Sequence, residues 1–203
     1  MTYTLRSAPA SPFARKVRMA ALICGLGDEI KVENPDPNSG QAPVSKFNPL
    51  GKIPVLIDET GGTIFDSPVI VEYIDSITEP GILIPTEPAA RFEALKLQAL
   101  GDGILDAAIL LVYEGRYRPD QTPYEPWLDF QRGKITTALD FLAANPPAIE
   151  PVTVGTVTIA CALGYLDYRK GVDWRPAYPA LVPWLDAFAK AVPAFDATRP
   201  PEA

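Results

Sequence analysis

Two serine–proline pairs stand where side chain and backbone together could hold an anion. Ser11-Pro12 opens the stretch SPFARKVR, and Ser67-Pro68 follows Asp66 in DSPVIVEYIDSI. Serine accepts from the free N–H groups of a helix's first turn and proline suits its first position, so each pair predicts a helix start. The positive end of such a helix favours a bound anion, and two brought together by the fold would make a double anion cradle. An isolated Ser-Pro start is equally an ordinary cap. In the first stretch Arg15, Lys16 and Arg18 crowd the opening turns, with no acid before Asp28. Either these cations strengthen the field at an anion, or they face elsewhere and serve a diffuse field or a contact surface.

Other chemistries are excluded by what is missing. The chain has no histidine, which removes Ser-His-Asp and Cys-His catalysis and histidine-ligated metal sites. Its two cysteines, Cys24 and Cys161, have no metal spacing and form no disulfide framework, so no metal is expected and a reducing, cytoplasmic setting is. Net charge is −7, which argues against nucleic acid or an anionic membrane as partner. The basic stretch on an acidic chain therefore marks a local site. Apolar runs such as AAILLVY (107–113) are too short to span a bilayer.

The elements that must position these residues are legible from periodicity. TYTLRS (2–7) alternates as a strand, a helix is predicted over 12–24, and EIKVEN (29–34) alternates again. After a loop rich in Pro, Asn and Gly comes the turn Asn48-Pro49-Leu50-Gly51, then a strand over 54–57. A hairpin at Glu59-Thr60-Gly61-Gly62 returns through 63–65 into a helix at 66–77, with Val69, Ile70, Tyr73, Ile74 and Ile77 as its buried stripe. Residues 1–77 thus read β-α-β-loop-β-β-α. The segment 78–88, with three prolines, reads as a linker. Residues 89–203 read as all-helical, with helices at 89–116, 125–144, 154–170 and 179–191. Gly101 and Gly103 in the first permit a bend or close packing. The third is apolar almost all round and is expected at the core, with Thr153 and Thr156 at capping-box spacing.

SPFARKVR, FNPLGKIPVL, FDSPVIVEYI and TIACALGYLDYR, in this order and spacing, resemble the cytosolic glutathione S-transferases over essentially the whole chain, and are closest to bacterial serine-type members. The resemblance implies an α+β two-domain fold: a thioredoxin-like βαβ-ββα domain (1–77) that binds glutathione, then an all-α helical-bundle domain (89–203). It also implies a homodimer. By position, Ser11 is implied as the catalytic hydroxyl donating to the glutathione sulfur. Phe13, Ile53, Pro54, Asp66 and Ser67 are implied to bind glutathione. A cis Pro54 would leave the Ile53 backbone free to pair with the tripeptide's cysteine, Asp66 would take the γ-glutamyl ammonium, and Ser67 with its helix N-terminus would take the carboxylate.

Glutathione is a nucleophile only when ionised, and lowering a thiol pKa by about two units needs about 2.7 kcal/mol of preference for the thiolate. A hydroxyl at Ser11, the helix N-terminus and the nearby cations are the candidate sources. Cys24 lies 13 residues beyond Ser11, about 20 Å at helical rise, too far to act on the same sulfur. Asp106, Ile109, Tyr113 and Arg116 are spaced 3, 4 and 3 and share a helix face. They are the expected wall for a hydrophobic electrophile, although core packing or a dimer contact explains the apolar members equally. The expected function is glutathione transfer to an electrophilic small molecule. A non-catalytic glutathione carrier and a dedicated glutathione-dependent lyase or dehalogenase are the alternatives.

Overall fold

β1 (Tyr3–Arg6) is an inner strand of a four-stranded mixed sheet ordered β2-β1-β3-β4. It turns Tyr3 and Leu5 into the core, as the alternation predicts. β2 (Ile30–Glu33) runs parallel to it, and β3 (Val55–Ile57) runs antiparallel on its other side, followed by antiparallel β4 (Thr63–Ile64). The parallel pair needs a crossover, which α1 (Pro12–Ile23) supplies. α1 packs on α2 (Ser67–Ile77), and α2 also touches β3. The computed structural model describes residues 2–35 and 41–201.

The hairpin after β3 is closed by Asp58, whose Oδ1 accepts from the Thr60 hydroxyl at 2.7 Å and from the Thr60 and Gly62 amides at 2.8 Å each. The Thr60 hydroxyl, ahead of the backbone donors, holds this carboxyl below its usual range. The buried stripe of α2 differs from the expected one. Ile70, Val71 and Ile74 are buried, whereas Val69 and Ile77 lie exposed at its edges, because the stripe is narrower than the run of apolar residues.

The chain divides into two compact units, Met1–Phe92 with Val192–Ala203, and Glu93–Ala191. This differs from a helical domain running unbroken over 89–203. The reason lies in α1: the Arg15 Nη2 donates to the Phe195 carbonyl at 2.7 Å, its guanidinium stacks 4.1 Å from the Phe195 ring, and Arg18 donates to the Thr198 carbonyl at 3.2 Å. These contacts hold the short α8 (Ala194–Ala197) on the first unit. The segment 78–88 is also ordered by its neighbours. Asp75 on α2 is buried and accepts from the amides of Gly81 at 3.0 Å, Leu83 at 2.7 Å and Ile84 at 3.4 Å.

The second unit contains α3 (Pro88–Tyr117) from Glu93 onward, α4 (Glu125–Ala144), α5 (Val154–Arg169), the short α6 (Trp174–Ala177) and α7 (Leu181–Ala191). Alpha-helix α5 is the expected core helix: it is buried along nearly its whole length. It starts on the Thr153–Thr156 box, with Thr156 donating its amide to Thr153 Oγ1 at 3.3 Å and Thr153 donating its amide to Thr156 Oγ1 at 3.0 Å. Asp167 anchors α6, accepting from Trp174 Nε1 at 2.8 Å and from Arg175 Nε and Nη2 at 2.9 and 2.7 Å.

Close packing, rather than a bend, accounts for Gly101. A Cβ there would lie 2.8 Å from Thr158 Cγ2 and 3.1 Å from the Thr158 backbone carbon. Gly155 is tighter, with Ala94 O at 2.7 Å and Leu97 Cβ at 2.6 Å from the same position. Gly155→Ala is therefore expected to force α3 and α5 apart at a cost of about 1–3 kcal/mol, read as a lowered unfolding midpoint. Gly103→Ala, where a Cβ meets nothing within 4 Å, is the control and gains helix propensity.

Candidate active site

The strand registers assemble the site in the first unit. Arg6 pairs with Val55, and Leu56 pairs with Ile64. Carried one step past the strands, these registers set Ser7, Pro54 and the Phe65–Asp66 link level at one end of the sheet. Ser11 follows from β1 by a turn in which its amide donates to the Ala8 carbonyl at 3.0 Å. Three of the segments singled out by sequence thus converge through backbone topology. The Ile53–Pro54 peptide bond is cis, as the resemblance implies, and so is Phe65–Asp66.

Ser11 is the N-cap of α1, and its Oγ accepts from the Ala14 amide at 3.3 Å. A serine hydroxyl both accepts and donates, so this cap leaves its O–H available to another acceptor. Phe13 lies half-buried in the first turn. The turn before Pro54 is built by buried Asn48, which donates to the Lys52 carbonyl at 2.9 Å and accepts from the Leu50 amide at 3.0 Å. Gly51 has φ +64° there, a left-handed conformation that suits glycine. Among the described residues no backbone hydrogen bond engages Ile53.

The second helix start differs by one residue from the predicted one. Asp66, in extended conformation, is the N-cap residue and its carbonyl accepts from the Ile70 amide at 2.9 Å; Ser67 is the first helical residue. Neither side chain caps the helix. The Asp66 carboxylate is exposed, and the Ser67 hydroxyl, on a residue only 2% exposed, has no hydrogen-bond partner among the described residues.

The cations of the opening stretch point elsewhere. Arg15 and Arg18 donate to carbonyls at the C-terminal end of α8, where a helix leaves carbonyls unpaired. Lys16 is fully buried. Of the two readings left open by the sequence, a structural contact describes Arg15 and Arg18.

Neither cysteine is in a disulfide, and both are buried. Burial, first among its influences, pushes the Cys24 thiol up to about 11. At pH 8 only about one Cys24 in a thousand is then thiolate. Alkylation of the native protein is expected to leave both thiols unmodified over the time that denatured chain reacts fully; rapid native labelling of Cys24 would contradict this burial.

Asp106, Ile109, Tyr113 and Arg116 all lie on α3 within the second unit. Asp106 and Arg116 are exposed, and Ile109 and Tyr113 half-buried. The Arg116 guanidinium lies 5.7 Å from the Tyr113 ring centroid, and Tyr117 meets Tyr113 edge-on at 5.0 Å. On α5, Arg169 lies 4.6 Å from the Tyr168 ring and 5.7 Å from that of Tyr165. Among the described residues no group of three or more His, Cys, Asp or Glu could hold a metal ion, and no helix is long and apolar enough to cross a membrane.

Comparison with known proteins starts from this same region. The family model for the glutathione S-transferase N-terminal domain matches residues 10–77. Over 199 residues the chain is 37% identical to the GST-like protein YibF of Escherichia coli strain K12, covering 95% of this chain and 96% of that protein. The chain belongs to the glutathione S-transferase family. A glutathione transferase family member from Pseudomonas fluorescens Pf-5, solved with bound glutathione, superimposes with a TM-score of 0.91 at 38% identity, covering 98% of this chain and all of that one. A second structure of such a family member from the same strain, with bound S-(propanoic acid)-glutathione, gives a TM-score of 0.87 at 38% identity and the same coverage. The four-stranded thioredoxin-like sheet and the helical second part of this glutathione S-transferase match these neighbours.

Proposed function

We propose that this glutathione S-transferase is a serine-type enzyme that ionises bound glutathione and adds its sulfur to an electrophilic small molecule. The observation that carries the reading is the convergence of Ser11, Ile53–Pro54 and Asp66–Ser67 at one end of the sheet, each with a group left over for a ligand. Ser67 and the α2 N-terminus suit the γ-glutamyl carboxylate, and exposed Asp66 suits the ammonium. The Ile53 backbone can pair with the cysteine of the tripeptide as an added strand would. Phe13 supplies apolar contact beside it. The sulfur then falls to Ser11, whose O–H donates to the thiolate while its oxygen still caps α1.

With Arg15 and Arg18 committed to α8, the hydroxyl and the α1 N-terminus are the local sources of thiolate preference. The thiolate attacks an electrophilic carbon, a C–S bond forms, and the leaving group departs or the resulting carbanion takes a proton from water. Glutathione held by the Pseudomonas fluorescens relative, and a conjugate held in its second structure, support this assignment. The acceptor is assigned to the α3 face of Ile109 and Tyr113, the enzyme to a homodimer, and its setting to a reducing cytoplasm in keeping with the absence of a disulfide at Cys24 and Cys161. Exposed Phe92, Trp127 and Phe130 offer apolar surface for subunit contact.

The test is a titration of the glutathione complex followed by thiolate absorbance. The enzyme reading requires the bound thiol to ionise at least about one pH unit below free glutathione. Binding with an unshifted thiol would instead identify a carrier.

A further inference from the structure

We infer that Arg6 of β1 is a positioning residue for glutathione: it holds the segment from Ala42 to Phe47 on the sheet and thereby fixes the turn that presents the Ile53 backbone. This deepens the preceding reading and rests on it. Every contact it uses lies within the first unit. The alternation that sends Tyr3 and Leu5 into the core sends Arg6 to the opposite face of the strand, where an arginine is ordinarily solvated. It is instead only 4% exposed. Its Nη1 donates to Glu33 Oε2 on β2 at 3.1 Å, and its Nη2 donates to the Ala42 carbonyl at 3.3 Å. The guanidinium carbon lies 5.7 Å from the Phe47 ring centroid, within cation–π range. One planar group thus ties Glu33 on the sheet to both ends of 42–47.

The hold passes along the chain to the site. Phe47 is followed directly by Asn48, whose amide donates to the Val44 carbonyl at 2.9 Å and whose side chain closes the turn on Leu50 and Lys52. Lys52 adjoins Ile53, the residue whose backbone pairs with the tripeptide. Val44–Lys46 is a single 3-10 turn with no side-chain cap and no buried residue. Such a turn buries little apolar surface to offset the entropy of ordering it. Arg6 supplies the order from beneath. Without it the sheet persists while the turn samples other conformations, and apparent affinity falls with the fraction of protein that stays competent to bind. Glu33 keeps Lys31 at 2.8 Å when Arg6 is replaced, so no carboxylate is stranded.

Calorimetric titration of glutathione into Arg6→Met and Arg6→Lys tests this, with thiolate absorbance and the unfolding midpoint read on the same samples. Lysine keeps a charge opposite Glu33 but has neither the planar fork that reaches Ala42 at the same time nor a face for Phe47. The expected Kd for glutathione rises about tenfold in Arg6→Met and about threefold or more in Arg6→Lys. The pKa of the bound thiol stays unchanged in both, because Ser11 is untouched. Arg6→Lys guards against a folding defect, since its unfolding midpoint is expected to stay near that of the wild type. In the free protein, amide exchange at Asn48, Leu50 and Gly51 is expected to quicken in both variants and to slow again under saturating glutathione. A Kd within about twofold of wild type in both variants overturns the inference. A bound-thiol pKa that rises along with Kd also overturns it, because Arg6 would then act on the sulfur. Wild-type protein that binds no glutathione removes the underlying reading and this inference with it; wild type and variants binding alike remove this inference alone.

Discussion

Ser11→Ala is expected to raise the pKa of the bound glutathione thiol by about 1–2 pH units and to lower turnover about 10²-fold, with glutathione affinity nearly kept. The size follows from one hydrogen bond to a charged group, worth about 1.5–3 kcal/mol, and from the 10²–10³ lost when one donor to a developing or resident anion is removed. The variant also loses a helix cap, because Ser11 Oγ accepts from the Ala14 amide, at about 0.5–2 kcal/mol of stability. The two consequences separate experimentally. Thermal unfolding reads the cap, while thiolate absorbance against pH reads the sulfur. Ser11→Thr keeps both a cap and a hydroxyl and is expected to retain most activity. A thiol that ionises alike in wild type and Ser11→Ala would remove Ser11 from the chemistry, whatever became of the stability.

The largest stability effect is expected at Asp75. Its carboxylate gathers the Gly81, Leu83 and Ile84 amides, and the Leu83 and Ile84 residues are themselves buried. Asp75→Ala strands these donors away from water at about 1–3 kcal/mol for each one left unpaired, so a total loss of about 3–5 kcal/mol is expected from equilibrium urea unfolding. Asp75→Asn offers a single acceptor oxygen and turns an amide group toward donors, so it falls between. Hydrogen exchange at Leu83 and Ile84 is expected to accelerate in both. A loss under about 1 kcal/mol in the alanine variant would show that the 78–88 segment finds other partners.

The first unit was legible because its signals are local. Alternation in Tyr3 and Leu5, the Ser11-Pro12 start and the Asn48–Gly51 turn each act within a few residues, and all appear where they were expected. The start of α2 missed by one residue, since the choice between Asp66 and Ser67 as cap depends on the backbone conformation at Asp66. Asp75 went unnoticed because a carboxylate on a helix looks solvated until the loop that folds onto it is known. The clasp of Arg15 on Phe195 spans 180 residues, beyond any periodicity. Short α6 and α8 carry too few turns to show a pattern.

The return of residues 192–201 to α1 has a consequence for biosynthesis. Translation delivers the helix bearing Ser11 first and its clasp only after the whole of Glu93–Ala191 has emerged. Until those residues emerge, the Phe195 and Thr198 carbonyls to which Arg15 and Arg18 donate do not yet exist. The first unit is thus completed last, although its sheet is encoded first.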